Sequence, residues 1–207
     1  MNIVRMNIKA AAPRLSLLRA GLQESDAVLP MPIGLSRKIC EGSVRALNQV
    51  LADTVTLRDL YKKHHWQVSG PTFFELRRLY DKHYAEQAAL VDQVAQRIQL
   101  LGGVSVAMAA DIAERTRIER PPAGREAIPV QLARLVSGHE NLLCTCHKAA
   151  RQAQDDGDDG TSDLLVSSVI RTNEFQVWFL VQHLVPEGDR EGIVAVARAA
   201  GKGNLSE

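Results

Sequence analysis

The run His64-His65-Trp66-Gln67-Val68-Ser69-Gly70-Pro71-Thr72-Phe73-Phe74, followed by a helical stretch bearing Asp81 and Asp92, holds the groups with the most chemistry to offer. Imidazole and carboxylate are ligands for iron, manganese and zinc. At 100° per residue, Arg77, Asp81, Asp92 and Gln96 fall within about a 100° stripe of one helix. Asp81 and Asp92 are nevertheless about 16 Å apart along its axis, so one ion cannot take both from a single chain. Two copies of the helix packed antiparallel across a twofold axis would set Asp81 of each opposite Asp92 of the other, with His65 arriving from the preceding helix. A metal site made of these groups therefore requires a dimer. The alternative is a pair of ordinary acids on a solvated stripe.

Other candidate ligands are weaker. His64 points about 100° from His65, and His83 about 200° from Asp81, so both read as packed or solvent-facing histidines rather than substitutes. His139, His147 and His183 are lone histidines on helices. Cys144 and Cys146 stand two apart on a helix and face different sides, which argues against a shared zinc; with Cys40 they make an odd set suited to a reducing cytoplasm. The turn Asp155 to Gly160 lacks the alternating ligands and final Glu of an EF-hand, Val166 standing where the Glu belongs.

Helices must position these groups. The 207 residues are 45% hydrophobic and carry a net charge of only +1, enough for one sizeable core and unlike a disordered chain. Few aromatics and abundant Ala, Leu, Val, Arg and Gln favour helix. Ser36 is a predicted N-cap for a helix to about Trp66, and Gly70-Pro71 ends it. Thr72 with Glu75 forms a capping-box pattern that starts the second helix, which runs to Gly102-Gly103. A long connection with a short helix around Ala109 to Arg115 follows, then a third helix from about Pro129 to Gln154. Thr161 or Ser162 is expected to cap a fourth helix through about Val185. The expected fold is all-α: a four-helix bundle with a long middle crossover carrying a short helix. Nothing approaches eighteen uninterrupted apolar residues, so no membrane span is expected.

Residues 1–35 read as a basic N-terminal tail, 36–186 as the bundle, and 187–207 as a C-terminal tail of alternating charge with no assigned function. Arg5, Lys9, Arg14 and Arg19 precede the first acid, Glu24. This arm is either a non-specific DNA contact or a solvated tail; it lacks a secretory signal's apolar segment and shares some composition with transit peptides.

Taken together, His65-Trp66-Gln67-Val68-Ser69-Gly70, Phe73, Leu79-Tyr80-Asp81-Lys82-His83 and Arg97 followed by Leu101-Gly102-Gly103 resemble the signature of the Dps family. These are the mini-ferritins that protect DNA in starved bacteria. The likeness resumes at Gly160-Thr161-Ser162-Asp163-Leu164-Leu165 and Trp178-Phe179, and covers roughly Ser36 to Val185. It implies a ferritin-like bundle assembled into a hollow dodecamer, with a ferroxidase centre at each dimer interface and ferric iron stored inside. That centre uses two histidines, two aspartates and a glutamate shared between chains. By motif position His65, Asp81 and Asp92 keep three of the five ligands, whereas the second histidine falls on Arg77 and the glutamate on Gln96. Arg77 brings a fixed positive charge and Gln96 lacks a negative one. The resemblance thus implies ferrous iron as the metal, with another divalent ion able to use the same groups. It implies either a working, weakened oxidation centre or a degenerate one in a shell that binds DNA or sequesters metal. It also matches Asp163 to the stretch that lines an iron-entry pore, where Asp158 and Asp159 would join it in acidic rings unless they are ordinary acids of an Asp-rich turn, and it places the protein in the cytoplasm, on the nucleoid where DNA is bound.

Overall fold

A computed structural model describes residues 23–185, all helix and loop. The first helix, α1 (Arg37–Gln67), begins where Ser36, in extended backbone, accepts a hydrogen bond from the Ile39 amide. A turn follows in which Gly70 takes φ +110°, a left-handed conformation that costs a residue with a side chain. The second helix, α2 (Phe73–Leu100), runs back along α1.

The expected capping box at its start does not form. Thr72 sits at φ −94°, ψ 19°, still inside the turn in which Phe73 N–H reaches the Gly70 carbonyl, and its side chain makes no cap hydrogen bond. Ser36→Ala is therefore expected to cost about 0.5–1 kcal/mol in denaturant unfolding, and Thr72→Ala only a few tenths. Equal losses at the two positions would contradict the geometry.

Between α2 and the next long helix, the crossover carries α3 (Ala109–Arg115), which packs on α1. Then come α4 (Ile128–Asp155), with Pro129 in its first turn where a missing N–H is harmless, and the fourth strut of the bundle. That strut is built of α5 (Asp159–Asp163), a π-helical stretch (Leu164–Ile170) and α6 (Arg171–Gln182). α1 packs against α2 and α4, and α4 also packs along the fourth strut, so α2 and α4 lie diagonally. This is the neighbour order that a long crossover permits.

Two boundaries differ from expectation. The bundle begins before residue 36: Val28 is buried in the core, and the Leu29 N–H donates to the Gly102 carbonyl at 2.9 Å. Gly102, at φ +82°, ends α2; a Cβ there would lie 2.1 Å from the Leu29 carbonyl oxygen, so this junction admits glycine only. At the fourth strut the N-cap is Asp158, not Thr161 or Ser162, and its carboxylate accepts from the Thr161 amide.

The interior is aliphatic at its ends, with Leu47, Leu51, Leu76, Ile98, Leu135 and Leu165 fully buried. Each contributes about 1.5–3 kcal/mol by leaving water. Its middle is polar: Tyr61, His83, Gln87, His139, Asn173 and Gln176 are all wholly buried.

Candidate metal centre

α1 and α2 position the first half of the centre. His65 lies in the last turn of α1, 9% exposed, and its Nδ1–H donates to the Arg77 carbonyl at 3.0 Å. A carbonyl can only accept, so the proton sits on Nδ1 and Nε2 keeps its lone pair. Metal-binding histidines are held in this way, with one nitrogen pinned and the other free to coordinate. The Asp81 carboxylate is 3.7 Å from the same ring.

Asp81 already has a cation. Lys62, one turn before His65 on the same face of α1, donates to it at 2.9 Å, and this hydrogen bond holds the Asp81 carboxyl below its ordinary pKa. Arg77 does not pair with Asp81. Its guanidinium lies 5.9 Å over the Phe73 ring, leaving its charge nearby without occupying a ligand position.

The second half lies further along α2. Asp92 is exposed and accepts the Gln96 amide at 2.7 Å, so Gln96 offers Asp92 a donor where a glutamate would offer a metal another oxygen. Among the described residues no three His, Cys, Asp or Glu side chains gather as a metal cluster. Within one subunit the groups stand as two separate pairs, His65 with Asp81 and Asp92 with Gln96, each at most a candidate half-site.

His64 and His83 join neither half. His64 is packed near the Tyr80 ring with both nitrogens unpaired, and burial lowers its pKa to about 4. His83 sits in the bundle core against Tyr61, and burial, with His139 beside it, lowers its pKa to about 3.

The expected pore acids separate. Asp158 is 1% exposed and committed inside the subunit: Ser43 donates to it at 2.6 Å, Arg97 pairs with it, and it caps α5. Burial alone would raise its carboxyl, but Ser43, Thr161 and Arg97 outweigh burial and hold the pKa below the usual value. Its charge is spent on the α4–α5 corner and is not free for a ring around a pore. Asp159 and Asp163 are exposed, with Asp163 accepting from Ser167 at 2.6 Å. Arg5, Lys9, Arg14 and Arg19 lie outside the described residues.

Sequence reasoning missed Lys62 and Ser43. Lys62 was detectable, standing three residues before His65 and thus on its face of a helix; Ser43 meets Asp158 from 115 residues away and left no local sign.

Comparison with known proteins adds four likenesses. The ferritin-like domain family matches residues 44–186. A solved structure, DpsC from Streptomyces coelicolor, is 50% identical with a TM-score of 0.80, covering 81% of this chain and 97% of that one. An uncharacterized protein in the bpoA2 5' region of Kitasatospora aureofaciens is 43% identical over 70% of this chain and 97% of its own length. DNA protection during starvation protein 2 of Bacillus anthracis is 31% identical over 66% of this chain and 92% of that protein.

Proposed function

The chain belongs to the Dps family of ferritin-like proteins, and from that premise we propose that it assembles into a dodecameric shell which takes up and oxidises ferrous iron. Oxidation occurs between subunits, with His65 and Asp81 of one chain facing the partner subunit's Asp92. The product is stored as ferric iron, and removing ferrous iron and its oxidant protects DNA. The observation that carries this reading is the pinned His65: its Nδ1–H is held by the Arg77 carbonyl, which leaves the lone pair on Nε2 for a metal, and the Asp81 carboxylate, held below its ordinary pKa, stands 3.7 Å from Nδ1 of the same ring.

Three ligands suffice for one divalent ion, with water completing its shell, so the centre is a weakened one rather than a paired-iron one. Oxygen or peroxide accepts the electrons. Asp159 and Asp163 draw cations toward the shell, and the basic arm with Arg5, Lys9, Arg14 and Arg19 meets DNA phosphates without reading sequence. No helix among the described residues is long and apolar enough to cross a membrane. Such a shell works in the cytoplasm, and on the nucleoid when DNA is bound.

A second reading is favoured by one observation. Lys62 and Gln96 already satisfy Asp81 and Asp92, which fits a shell whose oxidation centre is switched off and which acts as a DNA-binding or metal-sequestering particle. Ferrous binding and ferric absorbance after peroxide decide between them. The oxidising shell predicts turnover above the buffer rate that His65→Ala removes. It also predicts that Lys62→Ala tightens metal binding by roughly 1.5–5-fold, since an exposed ion pair of this kind is worth about 0.2–1 kcal/mol. Oxidation no faster than buffer, and unchanged in both variants, would leave the second reading standing.

A further inference from the structure

The buried polar middle of the bundle has a fixed proton order. Asn173 Nδ2 donates to the Val169 carbonyl at 2.7 Å, which can only accept, so Asn173 Oδ1 is the acceptor for its neighbours. One neighbour is His139, whose Nδ1 is 2.8 Å away and must carry the proton. A neutral His139 then has a bare Nε2, and the Tyr61 hydroxyl 2.5 Å from it must donate. The lone pair left on the Tyr61 oxygen accepts from His83 Nδ1–H at 3.1 Å. Gln87 donates to Asn173 and to Gln176 at 2.9 Å each, and Gln176 donates to Glu86 at 2.8 Å, which locks the amides as well.

Tyr61 is fully buried, and its phenol has one base to give its proton to. A phenol that loses an electron becomes a strong acid, so it is oxidised readily only where a base stands in line to accept the proton and return it. His139 Nε2 occupies that position. Burial keeps His139 neutral and able to accept, with its pKa lowered to about 4.

The ring also has an aromatic route outward. Tyr61 meets His83 edge-on at 5.2 Å between centroids, His83 meets Phe179 at 6.2 Å, and Phe179 meets Trp178 at 5.0 Å. Trp178 is 56% exposed in the subunit. An indole at the surface and a phenol–imidazole pair at the centre are the two most easily oxidised types of protein ring, here joined by van der Waals contact.

We propose that Tyr61 is a redox-active residue that takes up an oxidising equivalent arriving at Trp178 and holds it as a neutral tyrosyl radical inside the bundle. The oxidant is of the one-electron class, such as a hydroxyl radical formed when ferrous iron reduces peroxide. That radical gains the electron and becomes hydroxide; the Tyr61 O–H bond breaks, and an N–H bond forms at His139 Nε2. Charge and atoms balance, and re-reduction returns the proton to the phenolate oxygen. The activity does not depend on the metal centre, because neither half-site contributes a group to it.

The chain has 3 tyrosines, so replacing the other two, Tyr80→Phe and Tyr84→Phe, leaves Tyr61 as the only source of a tyrosyl radical. The Tyr80 hydroxyl has no hydrogen-bond partner, and its removal takes nothing from the packing. Iron-free full-length protein would be photo-oxidised with tris-bipyridyl ruthenium and persulfate, frozen, and read by electron paramagnetic resonance. The doubly substituted protein should keep most of the wild-type tyrosyl signal. Adding Tyr61→Phe should abolish it, and adding Trp178→Phe should lower its yield. No tyrosyl signal in the protein whose sole tyrosine is Tyr61 would overturn the proposal, and a yield indifferent to Trp178 would overturn the route. The readout uses no iron, so a failed ferroxidase assay and a failed radical assay are separate results.

Discussion

Replacing Arg77 with His and Gln96 with Glu together should raise the rate of ferrous oxidation on the order of a hundredfold, equivalent to about 2.7 kcal/mol of activation free energy. Three changes act in the same direction. A fixed guanidinium charge leaves the neighbourhood of a dication, an imidazole ligand takes its place one turn before Asp81, and Asp92 exchanges an amide donor for a carboxylate that can bind the metal. A single preorganised charge at a reacting centre is commonly worth two to three powers of ten, so a hundredfold is a moderate expectation. Stopped-flow ferric absorbance on wild type, each single variant and the pair measures it. The singles should fall short of the pair, because one ligand without the other leaves a half-built centre. A pair no faster than wild type would mean that the half-sites of two chains do not meet as proposed, or that Lys62 still holds Asp81.

The largest stability effect should come from acid. His64, His83 and His139 are buried neutral, with pKa values lowered by burial from an ordinary 6.5 to about 4, 3 and 4. Each folded-state value lies below the unfolded one, so as pH falls the unfolded chain takes up protons first. The stabilisation is complete above about 6.5 and is lost progressively as pH falls toward the folded values. Three such groups give a slope of up to about 4 kcal/mol per pH unit within that window. Guanidinium midpoints should therefore drop steeply between pH 6.5 and 4.5, before carboxylates such as Asp158 begin to titrate. Equal midpoints across that range would mean that the three imidazoles charge in the folded state, and that the core network is open to water. Replacing His64, which has no hydrogen-bond partner, with Leu should remove about one third of the slope without disturbing Tyr61 or His139.

The amino-acid sequence by itself determined the helices and their order. Apolar spacing along α1, α2 and α4, the Ser36 cap, the Gly70-Pro71 turn and Gly102 act within a few residues, and the structure places them within one or two residues of expectation. The stripe with Asp81, Asp92, Arg77 and Gln96 was legible for the same reason, since a helix fixes which residues share a face. Tertiary structure decided what each group is available to do. Thr72 carries a capping residue's chemistry but lies in a turn that directs it elsewhere, and Asp158 reads as one more acid in an Asp-rich loop until Ser43 and Arg97 enclose it. His83 and His139 look like isolated histidines because the hydrogen bonds that define them come from Tyr61 and Asn173 on other helices. Proton positions, buried charge and ligand competition depend on partners brought together across tens of residues, and such contacts leave no periodic trace along the chain.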